Sequence, residues 1–164
     1  MRGHLQLLSV CFVLPCLILC GCARREGSVT IPYPSSLSDS STPSEVAALL
    51  IKALDEENEE VLTALVAAKS EAEAIGSIFS KYGRRSSITP EKAARVAAAG
   101  WQATYAFFEK GATAVAEEQI SGETAVVRAN GRNASTGEAQ SLTITLIRED
   151  GLWKIRAGLL TSSP

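Results

Sequence analysis

The sequence predicts an α+β domain in which N-terminal helices pack on one face of a four-stranded antiparallel C-terminal meander. Three observations carry this. From Pro43 to about Lys110, apolar residues recur every three or four positions, the spacing that gathers them on one side of a helix. Beyond Gly111 the period changes to two, the spacing of a half-buried strand. Asp150-Gly151 then separates two alternating runs and is a dipeptide that favours a two-residue hairpin turn.

The chain opens with Arg2 and His4, followed by Leu5 to Leu19, 15 residues without a charge and interrupted by Pro15. A membrane-crossing helix needs roughly 20 apolar residues, so the run is too short to span and has the layout of a secretory signal. It closes on Leu19-Cys20-Gly21-Cys22. The small Gly21 suits a peptidase junction and the bulky Leu19 does not, which places the cut before Cys22. This box resembles the lipobox of bacterial lipoproteins. The resemblance implies a lipoprotein signal peptide over residues 1–21. It also implies a diacylglycerol thioether on the Cys22 sulfur, with a fatty acid such as palmitate on the amino group, and a place in the bacterial cell envelope, anchored on the extracytoplasmic side. Two or more chains give retention, whereas one binds only marginally. Ala23 follows the acceptor in place of the aspartate that commonly holds Gram-negative lipoproteins at the inner membrane, so outer-membrane sorting stays open. A cut after Ala23, using the small Gly21 and Ala23, is the competing reading and would release a soluble secreted domain.

Cysteine and histidine counts then exclude much chemistry. Cys11, Cys16 and Cys20 leave with the signal, as does His4, the sole histidine, and lipid occupies Cys22. The processed domain is therefore expected to have no internal disulfide, no His- or Cys-based nucleophilic catalysis, no Cys/His zinc site and no cofactor. Losing Arg2 takes 16 basic side chains to 15 against 18 acidic, a formal −3 without a basic cluster, which argues against nucleic acid as a partner. The expected partners are the membrane, through the lipid on Cys22, and a protein of the envelope. Arg24-Arg25 beside the anchor is either a headgroup contact or a solvated pair.

Residues 22–41 are expected to form the anchor and a flexible tether, since Glu26 to Ser41 is rich in Ser, Pro, Thr and Gly and poor in core formers. The globular domain is expected over 42–164. Thr42-Pro43-Ser44-Glu45 is a capping box that starts a helix carrying Val46, Leu49, Leu50, Ala53 and Leu54. The charge run from Asp55 to Glu60 is read as a break with Asp55 recapping, one continuous helix over 43–68 being the alternative. Val61, Leu62, Leu65 and Val66 form a second stripe. Ser70 with Glu73 is a further capping box before Ile75, Ile78, Phe79 and Tyr82, with an end near Gly83. Arg84-Arg85 reads as a solvated connector.

Thr89-Pro90-Glu91 starts the longest helix, expected to run to about Lys110 and end at Gly111. Ala94, Ala98, Trp101, Tyr105 and Phe108 share one face, and Gly100 inside it suggests close packing. Trp101 and Tyr105 are candidates to line a ligand pocket, with core as the competing role. Strands are expected at about 113–120, 124–130, 140–148 and 152–158. Leu142, Ile144 and Leu146 face inward, and Lys154 and Arg156 outward. Asn130-Gly131 and Asn133 to Gly137 are expected to form a polar loop, in which Asn133-Ala134-Ser135 matches the N-glycosylation pattern by coincidence.

Gly122-Glu123-Thr124-Ala125-Val126-Val127 followed by Leu146 to Ile155 resembles the closing strands of the cystatin-like and nuclear transport factor 2-like superfamily. That resemblance implies helices across a curved sheet enclosing a cone, which in such domains is hollow and functional or merely filled. Catalysis there would fall to Glu117, Glu118 and Tyr105. Neighbouring strand residues point to opposite faces, so only one of the two glutamates can enter a cone. The expected function is a membrane-anchored, non-catalytic binding or assembly module. The alternative is a small-molecule-binding or isomerase-like cone using carboxylate and tyrosine side chains.

Overall fold

The computed structural model describes residues 32–82 and 88–162. The expectations for the leader, Cys22, Arg24-Arg25, Gly83 and Arg84-Arg85 lie outside these residues. Helix α1 (Pro43–Asp55) starts as its sequence dictates. Thr42 Oγ1 accepts the Glu45 N–H at 3.2 Å, and Glu45 Oε2 accepts the Thr42 N–H at 2.8 Å. Val46, Leu50, Ala53 and Leu54 are buried and Leu49 is partly buried, while Ala47 and Ile51 widen the stripe. The wider face follows from position, because α1 lies against both the sheet and the other helices.

The charge run does break the helix. Glu57 adopts a φ of 54°, and α2 (Glu59–Leu65) restarts beyond it. The recapping residue is corrected, however: Asn58 Oδ1 accepts the Val61 N–H at 3.1 Å. Asp55 is held instead by groups at and beyond the end of the fourth helix. Helix α3 (Ala68–Lys81) likewise lacks the expected box, and Ser70 sits inside its first turn. Its N-terminus is capped from the opposite end of the chain. Glu149 Oε2 accepts the Ser70 N–H at 3.0 Å and the Ser70 hydroxyl at 2.9 Å, placing a negative charge where the helix dipole favours one.

Helix α4 (Pro90–Tyr105) is capped by Thr89 as expected, but it ends well short of Lys110. The reason is tertiary. The chain turns after Ala106 so that the Phe108 ring stacks on Tyr105, with centroids 5.4 Å apart and planes 8° apart. The Glu109 N–H then bonds Arg132 O at 2.8 Å, a strand-like pairing that a continued helix would forbid. Ala94, Ala98, Trp101, Tyr105 and Phe108 are all buried, as are Ala93 and Ala97. Gly100 is exposed, with nothing within 4 Å of where a Cβ would stand, so close packing does not explain it.

Strands β1 (Ala114–Ser121), β2 (Thr124–Arg132), β3 (Ala139–Glu149) and β4 (Leu152–Ser162) form an antiparallel sheet in sequential order. The α+β class and the arrangement of helices followed by strands are those read from the periodicities. Asp150 and Gly151 take φ of 54° and 80°, both positive, as the hairpin turn requires. One expected loop is partly strand, because Asn130-Gly131 continues β2 opposite Ser141 and Gln140. A Cβ on Gly131 would stand 2.5 Å from Thr113 Oγ1 and 2.9 Å from Phe108 Cδ1, so this position needs glycine for close approach, not for a turn. The loop proper is drawn tight by Asn133, whose Oδ1 accepts the N–H groups of Ser135 at 2.9 Å and Thr136 at 3.1 Å.

The space between helices and sheet is filled. Val127, Leu142, Ile144, Leu146 and Ile155 from the sheet meet Val46, Leu50, Leu62, Leu65 and Trp101 from the helices, each 0 % exposed. The Trp101 indole N–H finds its partner in Ala157 O at 2.8 Å. That carbonyl is free because β4 bulges there: the two steps from Ile144 to Leu146 face four steps from Ile155 to Leu159.

Two more carbonyls of β4 are taken by groups outside the sheet. The Ala67 N–H bonds Ile155 O at 2.9 Å, and the Tyr33 hydroxyl bonds Trp153 O at 2.9 Å. Three separate donors thus cover the first half of an edge strand that would otherwise offer these carbonyls to another chain. Tyr33 comes from the stretch expected to be a free tether. Together with Leu37 it packs against the core, so ordered packing begins before the expected boundary at residue 42. Composition concealed this, because a single aromatic suffices when its hydroxyl and ring both find partners.

Candidate functional site

The residues singled out from the sequence do not converge. Glu117 and Glu118 are exposed and, as alternation demands, serve different faces. Glu117 lies 3.7 Å from Arg128 across the β1–β2 pair, whereas Glu118 Oε2 accepts the Ser44 N–H at 2.7 Å and so caps α1. Neither lines the recess at Tyr105. Trp101 is core, and its polar edge is used on β4.

Tyr105 is the exception. It forms one wall of a recess of about 410 Å³ between the C-terminal ends of α1 and α4, with Leu54 and Phe108 as apolar neighbours and Glu57, Gln102 and Lys110 at the rim. Its volume falls within the usual range of small-molecule sites. The Tyr105 hydroxyl donates to Asp55 Oδ1 at 2.9 Å, and the Gly111 N–H reaches the same oxygen at 3.1 Å. Asp55 thereby ties α1 to the end of α4. Periodicity could not have found this role, since the charge run marks Asp55 as a helix recap and both of its partners lie at least 50 residues away. At the rim, Lys110 Nζ stands 2.5 Å from Glu57 Oε1 and holds that carboxyl below its usual range, chiefly by hydrogen bonding.

The Tyr105 phenol stays protonated near neutrality. Burial, opposed by the Thr113 hydroxyl and supplemented by the Asp55 carboxylate, pushes the Tyr105 phenol up to about 12. Burial does the same to Tyr33. Both phenols are raised above their ordinary value of 10.0, so the folded state favours their neutral forms. Their contribution to stability is fully present below pH 10 and is lost as pH rises through about 12. In a Tyr82→Phe chain, which keeps only these two tyrosines, phenolate absorbance is expected to appear near pH 12 together with unfolding. A full phenolate signal near pH 10 from the folded chain would contradict it.

A second group was not legible as unusual. Lys154, expected outward, is half-buried, with its Nζ donating to Ala64 O at 2.6 Å and lying 4.1 Å from the centre of the Tyr33 ring. Burial pulls its ammonium down to about 8, against the pull of the Glu149 and Asp150 carboxylates. Its surroundings depend on Tyr33, far away in sequence, so no local signal marks it. The amine clamps the N-terminal arm and does not line the Tyr105 recess. Arg156, also expected outward, reaches the buried Glu71 carboxylate at 2.5 Å.

No helix among the described residues is long and apolar enough to cross a membrane. No protein-family model matches the chain, and no curated protein matches its sequence. Among solved structures the chain is similar to a DUF4783 family protein from Bacteroides ovatus. That similarity has a TM-score of 0.46 and 13 % identity, and covers 74 % of this chain and 97 % of the other.

Proposed function

We propose that the protein is an extracytoplasmic lipoprotein of the bacterial envelope, anchored through Cys22, whose cystatin-like α+β domain is a non-catalytic binding or assembly module. The observation that carries this reading is the filled interior. Where a ligand-holding cone would be hollow, Trp101, Leu142, Ile144, Leu146 and Ile155 leave no solvent exposure, and the glutamates that would do acid–base work lie outside. Meanwhile Ile78, Tyr82, Val96 and Phe107 are more than half exposed, as a contact surface requires. The expected partners are the membrane and an envelope protein, and not nucleic acid. The recess at Tyr105 is the feature that favours the second reading, a small-molecule-binding domain.

The test is intact mass and detergent partitioning of the protein from its native host, beside a Cys22→Ser variant. The expected result is an acyl-sized mass increment and recovery in the detergent phase, both lost in the variant. An unmodified soluble chain beginning after Ala23 would sink the anchor and leave a diffusing domain with the Tyr105 recess as its site.

A further inference from the structure

The α3–α4 pair ends in a concentration of apolar and cationic side chains. On the last turns of α3, Ile78 is 53 % and Tyr82 79 % exposed, with Lys81 between them. On the first turns of α4, Val96 is 56 % exposed, beside exposed Lys92 and Arg95. Eight residues (82–89) join α3 to α4, and the two helices pack on each other, so these groups lie toward the same end of the pair. From Ile78 to Val96 the described residues carry three cations against one carboxylate, Glu91, in a chain whose formal net charge is −2. The three cations form no salt bridge among the described residues.

We propose that this end of the domain docks on the anionic surface of the bilayer that holds Cys22, with Ile78 and Tyr82 entering the headgroup layer and Lys81, Lys92 and Arg95 meeting lipid phosphates. The proposal rests on the lipid anchor proposed above. Charge complementarity is one support, since cations beside apolar and aromatic side chains are the composition of an interfacial contact. Chain length is the other. Eleven residue steps separate Cys22 from Tyr33, which limits the link to about 40 Å when fully extended. Tyr33 is pinned to Trp153, and α3 departs from Ala67, which is bonded to Ile155 only two residues along β4. The 14 residues of α3 rise by about 21 Å, so its far end is within reach of the surface on which the anchor sits.

The test uses the full Cys22→Ser chain and vesicles of phosphatidylcholine with and without phosphatidylglycerol, read by co-sedimentation. The leader and Arg24-Arg25 are common to every variant and cancel when variants are compared. The parent is expected to prefer the anionic vesicles, and Lys81→Gln or Arg95→Gln to lower that preference about fivefold each. The double variant Ile78→Ser, Tyr82→Ser is expected to weaken binding at low and high salt alike. All these positions are exposed, and unchanged melting temperatures would show that the variants fold. Equal binding to neutral vesicles, or indifference to the substitutions, would overturn the docking. So would a concentration-dependent dimer without vesicles that Ile78→Ser, Tyr82→Ser dissolves, because a second copy would then be the occupant. If Cys22 carries lipid and the substitutions change nothing, docking fails and the anchor stands. An unmodified Cys22 with the anionic preference intact would instead remove the anchor and leave this surface as a membrane contact in its own right.

Discussion

Replacing Trp101 by alanine is expected to cost about 4 kcal/mol of folding stability, the middle of the range for removing a large aromatic from a packed core. The side chain is 0 % exposed and touches both layers, so nothing can collapse into its place without moving the sheet or a helix. The loss has two parts. The ring volume becomes a cavity, and Ala157 O in the β4 bulge loses its indole donor. For a domain of this size the melting temperature should fall by roughly 15 °C in a thermal scan. Because the cavity is apolar with one acceptor at its wall, added indole should restore part of the loss in Trp101→Ala and do nothing for the parent chain. A variant with an unchanged melting temperature would mean that the interior is hollow, and the non-catalytic reading would lose its support.

The second large effect is expected at Gly131. Alanine there places a methyl 2.5 Å from Thr113 Oγ1 and 2.9 Å from Phe108 Cδ1, both against β2. Overpacking of this kind costs about 2 kcal/mol. The hydroxyl of Thr113 is buried and makes no well-formed hydrogen bond, though it stands close enough to the Tyr105 phenol to oppose the rise of that group's pKa, so its removal should cost little by itself. Thr113→Ala is therefore expected to recover a good part of the loss in the double variant, a non-additivity that denaturant titration of the four chains measures directly. Strict additivity would show that Thr113 is not what the new methyl meets, leaving Phe108 as the obstacle.

Most of this architecture was legible because it is local. The capping boxes, the three-and-four spacing of Val46, Leu50 and Leu54, and the alternation of Leu142, Ile144 and Leu146 each depend on residues a few positions apart. The errors have a common physical form. Ser70 has the local neighbours of a cap, yet Glu149 supplies the cap from the β3–β4 hairpin. Likewise Asn130-Gly131 has the composition of a turn but is strand, since Thr113 and Phe108 need the absent side chain. The helix through Tyr105 stops early so that Phe108 can stack back and Glu109 can pair with Arg132. In each case a contact with a residue distant in sequence, Glu149, Thr113 or Arg132, won over a local preference worth about 1 kcal/mol.

The candidate site divides along the same line. The sequence by itself determined the lipobox-like Leu19-Cys20-Gly21-Cys22, the poverty in histidine and thiol beyond it, and the four strands with their hairpin, because each is a matter of composition or short-range order. Only the tertiary structure decided that Glu117 and Glu118 serve the surface and a helix cap, that Trp101 fills the interior, and that Tyr105 shares Asp55 with Gly111. It alone decided that Tyr33 is pinned between Trp153 and Lys154. These outcomes depend on which side chains meet across the fold, and a one-dimensional pattern carries spacing but not proximity.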